Sequence, residues 1–281
     1  MGLKTLVPES LRPALRRGRE RLLLSSLRAA VREQGLTEGV ASHERAVQDL
    51  SDHYSDFRID SEFLNYKVRA QQAFQVSLAL ATLAENPGAV VADIGDSSGA
   101  HAAALKAALP DGGHRFLSVN LDPEAIKRVR ARGLEAELCR AEDLDSRGIR
   151  ADVFLCFETL EHLSDPVNFL HRLSETSCRR LILTVPYVVN TRIGLHHVRG
   201  GLKKKVSPES VHLVEFCPGD LKVLAKHAGW AVESERIYRQ YPLRSVLRST
   251  RRIWRSWDFE GVYGLVLRPD RTWSSLYTGW T

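Results

Sequence analysis

Two carboxylates and an imidazole lie close enough in the sequence to act together. Glu158, Glu161 and His162 directly follow an apolar run. If Glu158 begins a helix, the three side chains share one helix face, because residues three and four positions apart lie side by side. They would then converge at the carboxyl end of the preceding strand, where doubly wound sheets bind their ligands. These side-chain types bind divalent cations or transfer protons, so the sequence predicts a reactive site here.

A second group of residues predicts a site for a nucleotide-like ligand. Residues 93–99 (Asp-Ile-Gly-Asp-Ser-Ser-Gly) lie between an apolar strand and an alanine-rich helix. Glycines at such a turn let the backbone approach a ligand and direct a helix N-terminus towards it. The loop lacks the full G-x-G-x-x-G pattern, so a dinucleotide site is not expected. Asn120 closes the next strand, where doubly wound enzymes place the group that binds ribose hydroxyls.

The elements that must position these residues alternate between short β-rich runs and helical runs. Helices are predicted at 100–108, 123–131, 166–174 and 218–228, and strands at 89–94, 116–119, 151–157, 181–185, 230–238 and 261–267. A further strand is expected just before Ala141. Strands that alternate with helices in this way form a parallel sheet covered on both faces. The expected fold class is therefore α/β, doubly wound.

An N-terminal helical extension, residues 1–60, is expected before the main domain, residues 61–281. A basic amphipathic helix is predicted at 10–32, and Gly35 and Gly39 are expected to end that pattern. Residues 42–60 are expected to be irregular or short-helical, and 61–85 to form a longer helix. The basic helix either packs on the main domain or lies on an anionic membrane surface, and the pattern favours packing.

The composition is that of an ordinary globular protein. The 281 residues are 43% hydrophobic and 26% charged, with no apolar run near the roughly 20 residues needed to cross a bilayer. A formal charge of +6 allows anionic partners such as nucleic acid, phospho-sugars or lipid headgroups. Four cysteines without C-x-x-C spacing, and no apolar signal-peptide core, favour a cytoplasmic location, with contact at the membrane surface as the further option.

With these motifs in this order, the sequence resembles the class I S-adenosylmethionine-dependent methyltransferases, in the branch near the ubiquinone-biosynthesis O-methyltransferases. Residues 93–95 (Asp-Ile-Gly) are similar to the first motif of that family, and residues 161–166 (Glu-His-Leu-Ser-Asp-Pro) to the motif after its fourth strand. The resemblance covers about residues 61–240. It implies a Rossmann-like, seven-stranded sheet whose last strand is antiparallel and inserted beside the fifth, with S-adenosylmethionine as the cofactor.

The resemblance also implies which residues contact that cofactor. The glycines would shape the loop, Asn120 would hold the ribose with Asp122 two residues on, and Glu142 would lie near the adenine. The chain has Ser97 where the family usually has glycine, and Asn120 where it usually has an acid. The full set of expected cofactor contacts is Asp93, Gly95, Ser97, Gly99, Asn120, Asp122, Ala141, Glu142 and Phe157.

A second resemblance concerns the reactive group. A Glu-x-x-Glu-His motif with a distant histidine resembles the divalent-metal site of the small-RNA terminal 2′-O-methyltransferases. It implies Mg²⁺ or Mn²⁺ bound by Glu158, Glu161, His162 and His212. A cation held in this way can bind neighbouring hydroxyls and lower the pKa of one of them. The alternative is that Glu161 and His162 only order the loop at the substrate mouth, as in metal-free relatives.

Two further segments are expected to border the site. An insertion at 186–217 should cap it, and there His196 and His197, like His162, are candidate general bases, unless the insertion is only a polar lid. The basic segment 240–258 mixes arginines with two tryptophans. It would either bind sugars and phosphates or bury its tryptophans in the domain, and packing is favoured.

The sequence therefore predicts an S-adenosylmethionine-dependent O-methyltransferase. Its expected acceptor is a hydroxyl of a sugar, a glycan precursor or another polyhydroxylated small molecule, with a divalent metal assisting. One alternative is an RNA ribose 2′-O-methyltransferase, which suits the positive charge, although no RNA-binding module is recognisable. The other is a non-catalytic, partner-binding protein that retains a Rossmann-like fold.

Overall fold

Three helices precede the first strand in the computed structural model, which describes residues 12–55, 58–194, 211–257 and 259–279. They are α1 (Arg12–Glu33), α2 (Thr37–Ala46) and α3 (Glu62–Ala84). Gly35 follows the end of α1 with a φ of +70°, as expected of a terminating glycine. The prediction that Gly39 also ends the helical pattern is wrong, because Gly39 lies inside α2. Gly39 packs against Ala73 of α3, where a Cβ would make an ordinary contact at 3.5 Å, and this packing keeps the chain helical across the glycine.

A seven-stranded mixed sheet forms the centre of the fold. Its strands are β1 (Val90–Ile94), β2 (Arg115–Asn120), β3 (Glu135–Leu138), β4 (Val153–Phe157), β5 (Arg180–Pro186), β8 (Trp230–Arg239) and β9 (Gly261–Pro269), in the order β3-β2-β1-β4-β5-β9-β8. Neighbouring pairs among β1 to β5 are parallel, whereas β9 is antiparallel to both β5 and β8. The Rossmann-like sheet with its last strand inserted beside the fifth is therefore confirmed.

Helices cover both faces of this sheet. They are α4 (Ala100–Ala108), α5 (Pro123–Ala131), α6 (Pro166–Ser174), α7 (Pro218–His227) and α8 (Arg251–Trp257). Alternate residues along a strand point to opposite faces, so Leu155 of β4 belongs to the apolar cluster that includes α3, α4 and α5. Its neighbour Phe154 belongs to the cluster that includes α6 and α7. A short antiparallel pair, β6 (Arg192–Ile193) with β7 (Val214–Glu215), lies outside the main sheet.

The N-terminal extension packs on the main domain through the second half of α1. Leu23, Leu27 and Val31 of α1 are fully buried. The Ser26 hydroxyl is 2.7 Å from that of Thr250, in the basic segment. Trp254 of that segment is also fully buried, as the packing interpretation expected. Among the described residues, no helix is both long and apolar enough to cross a bilayer.

Two glycines offer a test of the close contact between the last two strands of the sheet, with an exposed helix position as the control. A Cβ at Gly261 would overlap the backbone carbonyl oxygen of Tyr238 in the neighbouring strand, whereas a Cβ at Gly18 of α1 meets nothing within 4 Å. We expect Gly261→Ala to lower the free energy of unfolding by about 1–3 kcal/mol, because the β8–β9 pair must shift. Gly18→Ala should raise it by about 0.5–1 kcal/mol, because alanine favours an exposed helix. Urea denaturation followed by circular dichroism measures both, and equal effects would contradict the described strand contact.

Candidate active site

A cleft of about 380 Å³ opens at the edge of the sheet where β1, β2 and β4 end. Those strands are parallel, so the loops that follow them meet at this edge. The lining includes Gly95 after β1, Asn120 at the end of β2 and Glu158 after β4. The cleft therefore brings together two groups of residues that are distant in the sequence, with Gly95 and Glu158 more than sixty positions apart.

The loop after β1 depends on two glycines. Gly95 has a φ of +88°, and a Cβ there would collide with the Thr159 hydroxyl. That hydroxyl donates to the carbonyl oxygens of Ile94 and Phe157, which ties the ends of β1 and β4 together. Gly99 has a φ of +75° and caps the N-terminus of α4. The loop can therefore present its backbone closely to a ligand while α4 points its N-terminus towards the same edge.

Two buried aspartates hold this loop from behind. The Asp96 carboxylate accepts hydrogen bonds from the backbone N–H groups of Ser98 and Gly99 and from the Ser118 hydroxyl. Asp93 Oδ2 lies 3.0 Å from His101 Nδ1. Burial and the nearby Asp96 charge raise the pKa of Asp93 to about 6, although His101 opposes the shift. Asp93 therefore acts as a support beneath the loop and is not part of the cleft wall.

The end of β2 is occupied by Asn120, whose amide bonds to its own loop. Its Nδ2 donates to the Asp96 carbonyl oxygen over 3.0 Å, and its Oδ1 accepts from the Asp122 backbone N–H over 2.8 Å. Asp122 caps α5 by accepting from the Glu124 N–H, and it also accepts from the Ser55 hydroxyl. Asn120 thus reaches the cleft at the expected place, with its polar atoms already engaged in shaping the wall.

The expected cofactor contacts divide into two groups. Those that line the cleft are Gly95, Ser97, Asn120, Ala141 and Glu142. Those that do not line it are Asp93, Gly99, Asp122 and Phe157. Members of the second group support the first: Asp93, Gly99 and Asp122 hold loops and helix ends, and the Phe157 ring packs against His101 at 4.9 Å.

The N-terminal extension and α3 contribute a wall that the sequence did not predict. Tyr54 lines the cleft, and so do Lys67 and Gln71 of α3. His53 beside Tyr54 is buried, with its Nδ1 2.6 Å from the Ser98 hydroxyl. No spacing in the polar stretch 42–60 marks these residues. The adjacent histidine and tyrosine at 53 and 54 were the available signal.

The backbone after β4 differs from the expected helix. Glu158 has a φ of +49°, and only a single 3₁₀ turn, Leu160–His162, follows it. The prediction that Glu158 opens a helix and shares its face with Glu161 and His162 is therefore wrong, because Glu158 has a left-handed backbone and no α-helix begins between it and Pro166. Instead, ligand atoms of Glu161, His162 and His212 all lie within 4.8 Å of one another. Glu158 lines the same cleft but is not a member of this trio.

Glu161 is the least satisfied group of the trio. Its side chain is only 1% exposed, and within the described part of the chain neither carboxylate oxygen has a hydrogen-bond partner. Burial, and then the neighbouring Glu158 carboxylate, raise the pKa of Glu161 well above its usual value. A buried carboxylate in this state is stabilised by a proton or by a cation.

The two imidazoles beside Glu161 are held by acceptors on their Nδ1 atoms. His162 Nδ1 lies 2.9 Å from the Val211 carbonyl oxygen, and His212 Nδ1 lies 3.2 Å from Glu215 Oε1. Burial raises the pKa of Glu215, but hydrogen bonds from His212 and Arg192 outweigh it, so that the pKa lies below its usual value. With Nδ1 as donor, each neutral ring carries its lone pair on Nε2. Metal-binding histidines are commonly held in this way.

The remaining candidate bases, His196 and His197, lie outside the described residues. The described ends of the same insertion converge on the trio. The Leu213 N–H donates to the Glu161 carbonyl oxygen over 2.7 Å. The Phe259 ring, from the other side, stacks on His212 with 5.3 Å between centroids. The insertion thus places His212 beside residues that follow β4.

Comparison with known proteins agrees with this arrangement. A sequence-family model for a methyltransferase domain matches residues 92–176, which run from β1 to just beyond α6. A search of the curated proteins finds no match. The 1,6-didemethyltoxoflavin-N1-methyltransferase of Burkholderia thailandensis, solved with 1,6-didemethyltoxoflavin and S-adenosylhomocysteine, is 19% identical, with 72% of this chain and 81% of that chain covered and a TM-score of 0.51.

A second similar structure is that of an enzyme named for a different reaction. The cyclopropane synthase MmaA2 of Mycobacterium tuberculosis is 14% identical, with 81% of this chain and 93% of that chain covered and a TM-score of 0.52. At such identities the likeness is one of fold and leaves the acceptor open. The methyltransferase-domain match covers the loops that build the cleft, and the rest of the sheet completes the same Rossmann-like fold; residues 92–176 therefore form a methyltransferase domain.

Proposed function

We propose that the protein transfers a methyl group from S-adenosylmethionine to a hydroxyl of a sugar, a glycan precursor or another polyhydroxylated small molecule, with a divalent cation assisting. One observation carries the metal-assisted reading. Glu161 is a buried carboxylate whose oxygens have no described hydrogen-bond partner, with His162 and His212 beside it at the cleft. Mg²⁺ or Mn²⁺ fits a site of mixed carboxylate and imidazole ligands.

The residues present fit such a cation. Glu161, His162 and His212 would hold it, and Glu215 and the Val211 carbonyl would orient the two imidazoles. When bound, the cation lowers the pKa of an acceptor hydroxyl, and the cofactor supplies the electrophilic methyl group. Glu158 lines the same cleft and is placed to orient the acceptor or to take its proton. With His162 as a ligand, His196 and His197 remain the histidine candidates for general base.

The acceptor class is supported by a second cavity next to the cleft. This cavity, of about 460 Å³, shares Phe259 with the cleft and is also lined by Tyr187, Asn190 and Thr191. Two arginines border it, but each is paired with a buried glutamate: Arg192 with Glu215, and Arg255 with Glu260. A polar cavity with aromatic rings and neutralised cations suits a neutral polyhydroxylated acceptor better than a polyphosphate backbone.

The proposal can be tested by acceptor screening. Purified protein, S-adenosylmethionine and Mn²⁺ would be incubated with a panel of sugars, polyols and catechols, and in parallel with short RNA. Formation of S-adenosylhomocysteine is the readout. Mn²⁺-dependent turnover with a vicinal diol supports the proposal. Turnover with RNA alone would establish the ribose methyltransferase alternative. Failure to bind the cofactor would favour the partner-binding alternative.

Glu161 provides the sharpest test of the metal. We expect Glu161→Gln to abolish Mn²⁺ binding, because a neutral amide cannot compensate the charge of the cation. Glu161→Ala should likewise abolish methyl transfer while sparing the cofactor. Isothermal titration of Mn²⁺ into the protein, with S-adenosylhomocysteine titrated separately, measures the two properties independently.

Glu142→Gln is the matched control for this experiment. Glu142 lines the same cleft but is not one of the clustered ligand residues. It should leave Mn²⁺ binding unchanged and can alter only the affinity for the cofactor. Equal Mn²⁺ affinity in Glu161→Gln and the unmodified protein would exclude Glu161 as a ligand.

Tyr54 provides a test of the wall that the N-terminal extension supplies. Tyr54 is one of the cleft-lining residues, so we expect Tyr54→Ala to weaken S-adenosylhomocysteine binding by about tenfold through lost contact area. Tyr54→Phe should retain most of the affinity if the ring provides the contact. Tyr277→Ala, at an exposed tyrosine that contacts His227, is the control that should change nothing. Unchanged affinity in Tyr54→Ala would show that the extension only borders the site.

A further inference from the structure

Helix α1 has an outward apolar side in addition to its buried one. Leu23, Leu27 and Val31 face the domain and are fully buried. Leu15 and Leu22, however, are 58% and 40% exposed. They lie seven residues apart, which is about two helical turns, and therefore share one side of the helix. The leucines of α1 therefore lie on two sides of the helix, and packing on the domain accounts only for the buried side.

The exposed part of α1 is rich in arginine. Helix α1 carries seven arginines and only two acidic residues, Glu20 and Glu33. Arg16, Arg17 and Arg21 are all exposed. Glu20 pairs with Arg16, and Glu33 is occupied elsewhere in the fold. A helix with leucines on its outer side and arginines around them has the pattern of helices that lie at a membrane interface.

The same surface continues onto the segment that joins β8 to β9. Glu33 of α1 accepts hydrogen bonds from the backbone N–H groups of Leu243 and Arg244, over 2.9 and 3.0 Å. Val246, two residues further on, is 89% exposed. Residues 240–257 contain five arginines and no acidic residue. Two of those arginines, Arg251 and Arg255, bond to Glu260, so the remaining three add to the positive surface.

We propose that this surface, formed by the outer side of α1 and residues 243–252, docks on a bilayer that contains anionic lipid. The arginines complement the anionic headgroups, and Leu15, Leu22 and Val246 would be buried at the headgroup boundary. The arginines would also attract a nucleic acid, but the exposed aliphatic side chains would add nothing to its binding. Base stacking would need exposed rings, and the two aromatic residues of the segment whose side chains the structure describes, Tyr241 and Trp254, are buried.

The position of this surface relates it to the cleft. The strand β8 runs in the same direction as β5, so both strands end at the edge of the sheet where the cleft opens. The basic segment follows the end of β8 and therefore starts at that edge. The chain returns through Phe259, which lines the cleft, before β9 begins at Gly261. Docking would therefore hold the cleft near the lipid surface. The proposal does not depend on which acceptor is methylated.

Vesicle co-sedimentation of the full chain tests this proposal. We expect the protein to bind vesicles of phosphatidylcholine with phosphatidylglycerol, to bind pure phosphatidylcholine vesicles much less, and to be released partly by salt. No binding to the phosphatidylglycerol vesicles would overturn the proposal. Binding to a short single-stranded RNA without binding to either vesicle would do the same and would indicate a nucleic-acid surface instead.

Variants separate insertion of apolar side chains from adsorption by charge alone. The double variant Leu15→Glu with Leu22→Glu, and separately Val246→Glu, should each reduce partitioning to phosphatidylglycerol vesicles by about tenfold or more. Val223→Glu introduces one negative charge, as Val246→Glu does, at a valine of α7 that is 55% exposed, and should lower partitioning far less. Equal losses in Val246→Glu and Val223→Glu, which change the net charge equally, would reduce the interaction to net charge and overturn the proposal. S-adenosylhomocysteine affinity, expected to be unchanged in each variant, verifies folding.

Discussion

Parallel strands fix where the central loops of the site lie. Since β1, β2 and β4 run in the same direction, the loops that follow them leave one edge of the sheet, however far apart they are in sequence. Gly95, Asn120 and Glu158 meet for that reason alone. The antiparallel β9 reinforces the arrangement, because it brings Phe259 to the same edge from the opposite chain direction. The chemistry of individual side chains is then adjusted within a geometry that the sheet has already set.

The electrostatics of that edge are divided between two kinds of carboxylate. Asp96 is buried but accepts three hydrogen bonds from its own loop and from Ser118, so its burial contributes to local order. Glu161 is equally buried, yet its oxygens accept none from the described residues. Leaving a carboxylate in this state costs stability unless a proton or a cation neutralises it. The contrast separates a structural acid from one kept for a ligand.

The sequence predicts the periodic elements well and the site backbone poorly. Helices at 100–108, 123–131 and 166–174 have the expected bounds because local signals mark where they begin, such as Pro123 and Pro166 at the first positions of the second and third. Gly39 misled the prediction because packing against Ala73 overrides the low helix propensity of glycine. Glu158 misled the prediction because its backbone is left-handed in the turn after β4. Tyr54 was not predicted, since only the folded chain brings residues 53–55 to the loop after β1, residues 95–99 (the cofactor loop).

That last contact has a thermodynamic consequence. His53 meets Ser98, Ser55 meets Asp122, and Arg128 donates both to the Ser55 hydroxyl and to the Ser97 carbonyl oxygen. The extension and the cofactor loop are thus ordered by the same bonds, so the configurational entropy lost when one becomes fixed need not be lost again for the other. Cofactor occupancy and ordering of the extension are reciprocal: each favours the other by the same free energy.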